Sequence, residues 1–246
     1  MEYTQEFKDF VNACMRPDGR NLYVGIGNPN AKILFIGKEA AMREADDDYK
    51  NNAKCWGEHI YKNTCEDLDY LVHEKHPLRN EWGRNTWSKY QRLKDYIVEN
   101  KEIQPFYVDF LKGVFTTEIN DSPSKRTSDA IKVSLDARKK LFKDSAFIQN
   151  FPVVVLACSG YLKNDENVRE IDDIFGVTYD GDEKGKKIYT SANWFYTHHS
   201  EDGRRLVIHT RQLSANVLND MLQEMGEIIW KHLKNVGYMD DTRCFM

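Results

Sequence analysis

The chain has 246 residues, 41% of them hydrophobic and 12% aromatic. That is enough apolar mass for one large α/β domain and excludes a disordered, collagenous or low-complexity chain. Lys and Arg number 35 against 39 Asp and Glu, a net charge of −4 that excludes coating nucleic acid by bulk attraction and still allows a local basic face.

In chain order, Phe7, Phe10, Val11 and Cys14 fall on one helical stripe that ends before Arg16-Pro17-Asp18-Gly19. Ile33-Leu34-Phe35-Ile36, between Pro29-Asn30 and Gly37, is an apolar run too short for a helix and predicts a buried parallel strand. Residues 41–86 are polar and irregular, an insertion too long for a bare connection unless it carries short helices or a function. Trp87, Tyr90, Leu93 and Ile97 mark a helix face with Asn85-Thr86 as its cap. A second strand is expected over 114–119, closed by Asn120-Asp121-Ser122-Pro123, and then a helix capped by Ser128 that carries Ile131, Leu135 and Phe142.

Val153-Val154-Val155-Leu156 predicts a third strand, buried on both faces, and Val168, Ile171 and Phe175 a short helix. Residues 186–198 and 205–209 read as two strands joined around Glu201-Asp202-Gly203. A closing helix follows, with Val217, Leu218, Met221, Leu222, Met225, Ile228 and Ile229 on one side. Strands alternating with helices imply a single domain over 1–246, a three-layer α/β/α sandwich around a mostly parallel sheet. Its crevice should lie outside the carboxyl ends of the strands, lined by residues 37–42, 117–121, 159–160 and 209–214.

Cysteines at 14, 55, 65, 158 and 244 form no C-x-x-C pair and are odd in number, which suits a reducing compartment. No run approaches the roughly 20 apolar residues of a membrane span, and the first residues lack a signal pattern. A cytoplasmic protein is expected.

Two positions stand out for chemistry. Glu39 follows the first strand in Gly37-Lys38-Glu39-Ala40-Ala41 and can present a carboxylate at the sheet rim; His209 ends a late strand in Ile208-His209-Thr210-Arg211-Gln212-Leu213-Ser214 and can donate to a developing anion. Ser214 is a candidate cap of the final helix, with Leu213 as its staple residue.

The order of these landmarks, with Phe151-Pro152-Val153-Val154-Val155-Leu156-Ala157-Cys158-Ser159-Gly160 between them, resembles the uracil-DNA glycosylase superfamily, loosely over residues 20–232. The resemblance implies that fold and an enzyme removing a deaminated or damaged base from DNA, without a cofactor. Carried onto this sequence it gives Glu39 the handling of water, His209 the leaving base, Leu213 the wedge filling the vacated stack, and Trp87 the aromatic platform. Gly37 and Lys38 in the first loop, Thr117 and Asn120 at the second strand end, and Arg211 complete the expected substrate contacts. Such chemistry needs a carboxylate near an oxocarbenium-like sugar and a donor to the anionic base, after the base has left the stack at a cost of a few kcal/mol.

The sequence departs from that pattern at several positions. Ala40 and Thr210 stand where proline is usual, Glu39 is a methylene longer than the commoner Asp or Asn, Arg211 replaces a small residue, and Thr117 sits where a base-reading Asn is expected. These departures support an alternative, an inactive module on the same fold that binds a nucleobase, nucleic acid or protein. The cysteines lack iron–sulfur spacing, and Cys55, His59, Cys65, His73 and His76 match no compact zinc pattern, so no metal is expected. Asp46-Asp47-Asp48 reads as a solvated turn, adjacent His198 and His199 point to opposite faces of a strand, and Gly25-x-Gly27 precedes the strand a dinucleotide loop must follow. Lys125-Arg126, Arg204-Arg205 and Arg211 can rim the crevice as phosphate contacts for DNA. A monomer is the expectation.

Overall fold

The computed structural model describes residues 2–17, 19, 21–40, 47–62, 85–98, 108–124, 127–214 and 216–239. Within them, α1 (Gln5–Cys14) is capped by Thr4 and buries Phe7, Phe10, Val11 and Cys14, the stripe expected. A short β1 (Ile26–Gly27) precedes β2 (Ile33–Gly37), whose five residues are all buried. The insertion carries a helix, α2 (Asp47–Lys62), which places Ala53 and Trp56 in the core. Next come α3 (Thr86–Ile97), capped as expected by the Asn85 side chain, and β3 (Phe115–Glu118).

The Ser128 cap is not formed. Thr127–Asp129 is a single 3-10 turn, Ile131 is 63% exposed, and the helix bearing Phe142 starts later, as α4 (Leu135–Asp144). The hydroxyls explain this, because Thr127 donates to Glu39 and Ser128 to Asp129, leaving neither to cap a helix. Then follow α5 (Ala146–Gln149), β4 (Val153–Leu156), α6 (Glu170–Phe175), β5 (Thr178–Tyr179) and α7 (Asp182–Gly185). The single strand expected over 186–198 is two, β6 (Lys186–Thr190) and β7 (Asn193–His199), turned where Thr190 Oγ1 accepts from the Ala192 N–H and the Asn193 amide. After β8 (Leu206–Thr210) the chain ends its described part in α8 (Asn219–Asn235). Ser214 lies too early to cap α8; the side chain of Asn193 instead accepts from the Leu218 N–H just before the first turn.

The sheet runs β1-β3-β2-β4-β8-β7, with β5 and β6 both paired to the outer edge of β7. Strands β3, β2, β4 and β8 are mutually parallel, and β1 and β7 flank them antiparallel. Alternation sorts the side chains by face. Leu34, Ile36, Val154, Leu156 and Val207 meet residues of α1, α2 and α6, while Ile33, Phe35, Val153, Val155 and Ile208 meet α3 and α8. The result is the expected three-layer α/β/α arrangement around a mostly parallel sheet. No helix among the described residues is long and apolar enough to cross a membrane.

The α3–α8 layer is drawn tight at Gly226, where an added Cβ would stand 2.6 Å from the Tyr96 Cβ. Gly226→Val should therefore force the helices apart and lower stability by about 1–3 kcal/mol in urea unfolding.

Candidate functional site at the carboxyl ends of the strands

The loops after β2, β3 and β4 are stitched together by backbone bonds. The N–H of Asn120 donates to Lys38 O (2.8 Å), that of Ile119 to Gly37 O (3.0 Å), and that of Ala157 to Ile36 O (2.8 Å). This sets Glu39, Asn120 and Tyr161 side by side at the switch point, where β3 and β4 lie on opposite sides of β2. Glu39 is 8% exposed and accepts two hydroxyls, from Thr127 (2.8 Å) on one oxygen and from Tyr161 on the other. Desolvation and that carboxylate push the Tyr161 phenol well above its ordinary value, while the neighbouring Asn120 amide pulls it down.

A second carboxyl lies beside the first. Glu118, at the end of β3, is paired in register with Gly37, and a Cβ on Gly37 would fall 2.2 Å from Glu118 Oε2. Glycine is required there to admit the acid. Burial first, then repulsion from Glu39, raise Glu118 from 4.5 to about 8, against the opposing pull of Arg138. Glu118 is thus a neutral acid at pH 7 next to the hydrogen-bonded Glu39. Glu118 Oε2 and Asn120 Nδ2 are buried atoms without a hydrogen-bond partner.

Thr117 is not open to a substrate. It is 1% exposed, and its hydroxyl accepts from Arg138 Nη2 (2.9 Å), a fully buried guanidinium that also donates to the carbonyls of Glu118 and Tyr23.

His209 is on the same rim but turned inward. Its Nε2 lies 3.1 Å from the Ser159 carbonyl and its Nδ1 3.4 Å from Asn164 Nδ2, which also lies 3.3 Å from His198 Nε2. Arg169 donates to Asn164 Oδ1 (2.9 Å), which fixes the amide so that its two hydrogens face two imidazoles, and His198 Nδ1 donates to Asp172 (2.6 Å). Both rings are therefore neutral, each with its Nδ1 and Nε2 roles set by these partners. Burial dominates in lowering His209 from 6.5 to about 4, with the Ser159 carbonyl opposing. The N–H that sequence reasoning reserved for a leaving base is spent on Ser159.

Three other expected contacts are redirected. Trp87 packs edge-on to Phe110 in the α3–α8 layer, whereas His209 contacts Trp194 and Tyr196 on the opposite face of the sheet, so the structure does not bring Trp87 and His209 together. Leu213 is fully buried in the α3–α8 core and presents no wedge. Arg211 donates to Ala192 O (2.9 Å). Lys38 and Lys132 do reach the rim, their ammonium groups 5.8 and 4.7 Å from the centroid of the Tyr161 ring. His198 and His199 diverge as expected, to Asp172 and Asp180. Among the described residues no three metal-ligating side chains cluster; Cys65, His73, His76, Asp46 and Lys125-Arg126 lie outside the described residues.

Sequence reasoning missed Glu118, Arg138 and Tyr161. The local signal for Glu118 is a carboxylate closing the strand Phe115-Thr116-Thr117, but its neutral state depends on Gly37 and Glu39, which are distant in the chain. No protein-family model matches the chain, and no curated protein matches its sequence.

The two perturbed groups tilt stability in opposite directions. Unfolding releases the Glu118 proton between pH 4.5 and about 8, so stability falls as pH rises through that window; His209 resists protonation down to about 4, so stability falls as pH drops below 6.5. Glu118→Gln should stabilise the protein more at pH 8 than at pH 5, by at most about 1.4 kcal/mol per pH unit, read by urea midpoints.

Proposed function

We propose that the chain is a glycosylase-like hydrolase that cleaves the N-glycosidic bond of a deaminated base in DNA, with Glu39 and Glu118 as the working pair. The observation that carries this reading is a pair of neighbouring carboxyl groups at the switch point, Glu118 pushed up to about 8 and Glu39 held by two hydroxyl donors. Glu39 orients water and favours the cationic sugar. Glu118, still protonated, donates to the departing base, the role that resemblance alone would have given to His209. Asn120, with an unpartnered buried amide N–H, reads a carbonyl of the base. Lys38 and Lys132 offer phosphate contacts on a chain that is acidic overall. The three-layer arrangement around a mostly parallel sheet is the fold that the resemblance to uracil-DNA glycosylases implies.

The competing reading, a binding module without catalysis, draws on the engagement of both His209 nitrogens and on the burial of Leu213. One experiment separates the two. Single-stranded and duplex oligonucleotides carrying uracil are incubated with the protein and treated with alkali to cut abasic sites. Cleavage is expected, reduced roughly 10²–10⁴-fold in Glu39→Gln. The wild-type rate should fall above pH of about 8 as Glu118 ionises, and this alkaline limb should vanish in Glu118→Gln. Retention of the oligonucleotide with no cleavage at any pH would establish the binding module instead.

A further inference from the structure

We propose that Tyr161 is a gate. The described conformation is then a resting state in which the phenol hydroxyl holds the hydrogen-bonding position that Glu39 must give to the attacking water. This inference rests on the role assigned to Glu39 above, and its test does not require turnover.

The occupant is the first argument. Tyr161 is 5% exposed, its hydroxyl donates to Glu39, and the Asn120 amide lies close to the same oxygen without completing a hydrogen bond. The phenol thus fills the hydrogen-bonding position at Glu39 that a water would take, and the Asn120 N–H beside it makes no complete hydrogen bond and stays available to an acceptor that replaces the phenol. Lys132, from the exposed segment before α4, lies over the ring, and Thr127 from the same stretch holds the other oxygen of Glu39. The cover therefore has a few discrete fastenings, and the one core side chain that must move to undo them is the Tyr161 ring itself, at the edge of the α1–α2–α6 cluster.

The hinge is the second argument. Tyr161 ends the single 3-10 turn Ser159–Tyr161. Ser159 has φ of 51°, a left-handed conformation that a non-glycine residue holds only under constraint, and Gly160 is exposed with open space around its Cα. The constraint is His209, which donates to the Ser159 carbonyl from below. The buried imidazole thereby acts as a positioning residue for the closed turn. Release of the Tyr161 hydroxyl lets Ser159 relax and swings the ring outward, as gating loops do elsewhere.

Cys158 reports the motion. Its thiol is fully buried at the root of the turn, whereas Cys14 is the buried last residue of α1, with its thiol beside Arg138. Native protein is alkylated with iodoacetamide, and each cysteine is followed by peptide mass spectrometry. Cys158 should be protected in the wild type and modified roughly tenfold faster in Tyr161→Phe, which keeps the ring and loses the charge-assisted bond, with Cys14 unchanged. Glu39→Gln weakens the same bond from the other side and should act in the same direction. Cys158 modified at the wild-type rate in both variants would overturn the gate. Acceleration in both, with uracil oligonucleotides left uncut, would overturn the hydrolase and leave the gate standing.

Discussion

A carboxylate taken nearly out of water must be answered by donors, and at Glu39 the donors are two hydroxyls from segments far along the chain. No lysine or arginine forms an ion pair with it among the described residues. That choice governs the rim. Neutral donors bring no positive charge to the neighbouring Glu118, whose pKa burial raises first and the proximity of Glu39 second. It also ties Thr127 to the rim, so that α4 begins only at Leu135 and Ile131 and Val133 are left in solvent.

Much of the architecture was legible because burial on both faces writes itself as an unbroken apolar run. The runs at 33–36 and 153–156 became adjacent parallel strands, and the stripe through Phe7 and Cys14 became α1. Asn85 capped its helix because an Asx side chain ahead of an apolar period has few other uses. Where a hydroxyl or an amide has a distant partner, local reading fails. Ser128 and Ser214 have the chemistry of caps, yet neither caps a helix, and α8 is set instead by Asn193 on a strand. The stripe of α2 was hidden in polar sequence, although Trp56 is as buried as any core residue.

The site was legible in outline only. Glu39 and His209 do come to one rim, joined through the Ser159–Tyr161 turn, which touches both. Their roles did not follow from position. His209 sits in a polar chain with Asn164, His198 and Asp172, one nitrogen facing the Asn164 amide and the other holding the Ser159 carbonyl. Arg138, first of the three consecutive cations Arg138-Lys139-Lys140, carries no local mark of burial and is sealed against three backbone and side-chain oxygens. A lone charge of that kind is tolerated inside only when its donors are met, and meeting them here pins β3 to the loop before β1.

The close approach at Gly226 gives the molecule two unlike sides. One helical layer is clamped backbone to side chain and has no slack to spend on motion. The other holds its rim with hydroxyl contacts, a left-handed serine and an exposed glycine. Change over evolution should therefore be one-sided: selection can rebuild the yielding face while the stiff one acts as an anvil, so that substitutions in α3 and α8 weigh on stability before they reach the rim.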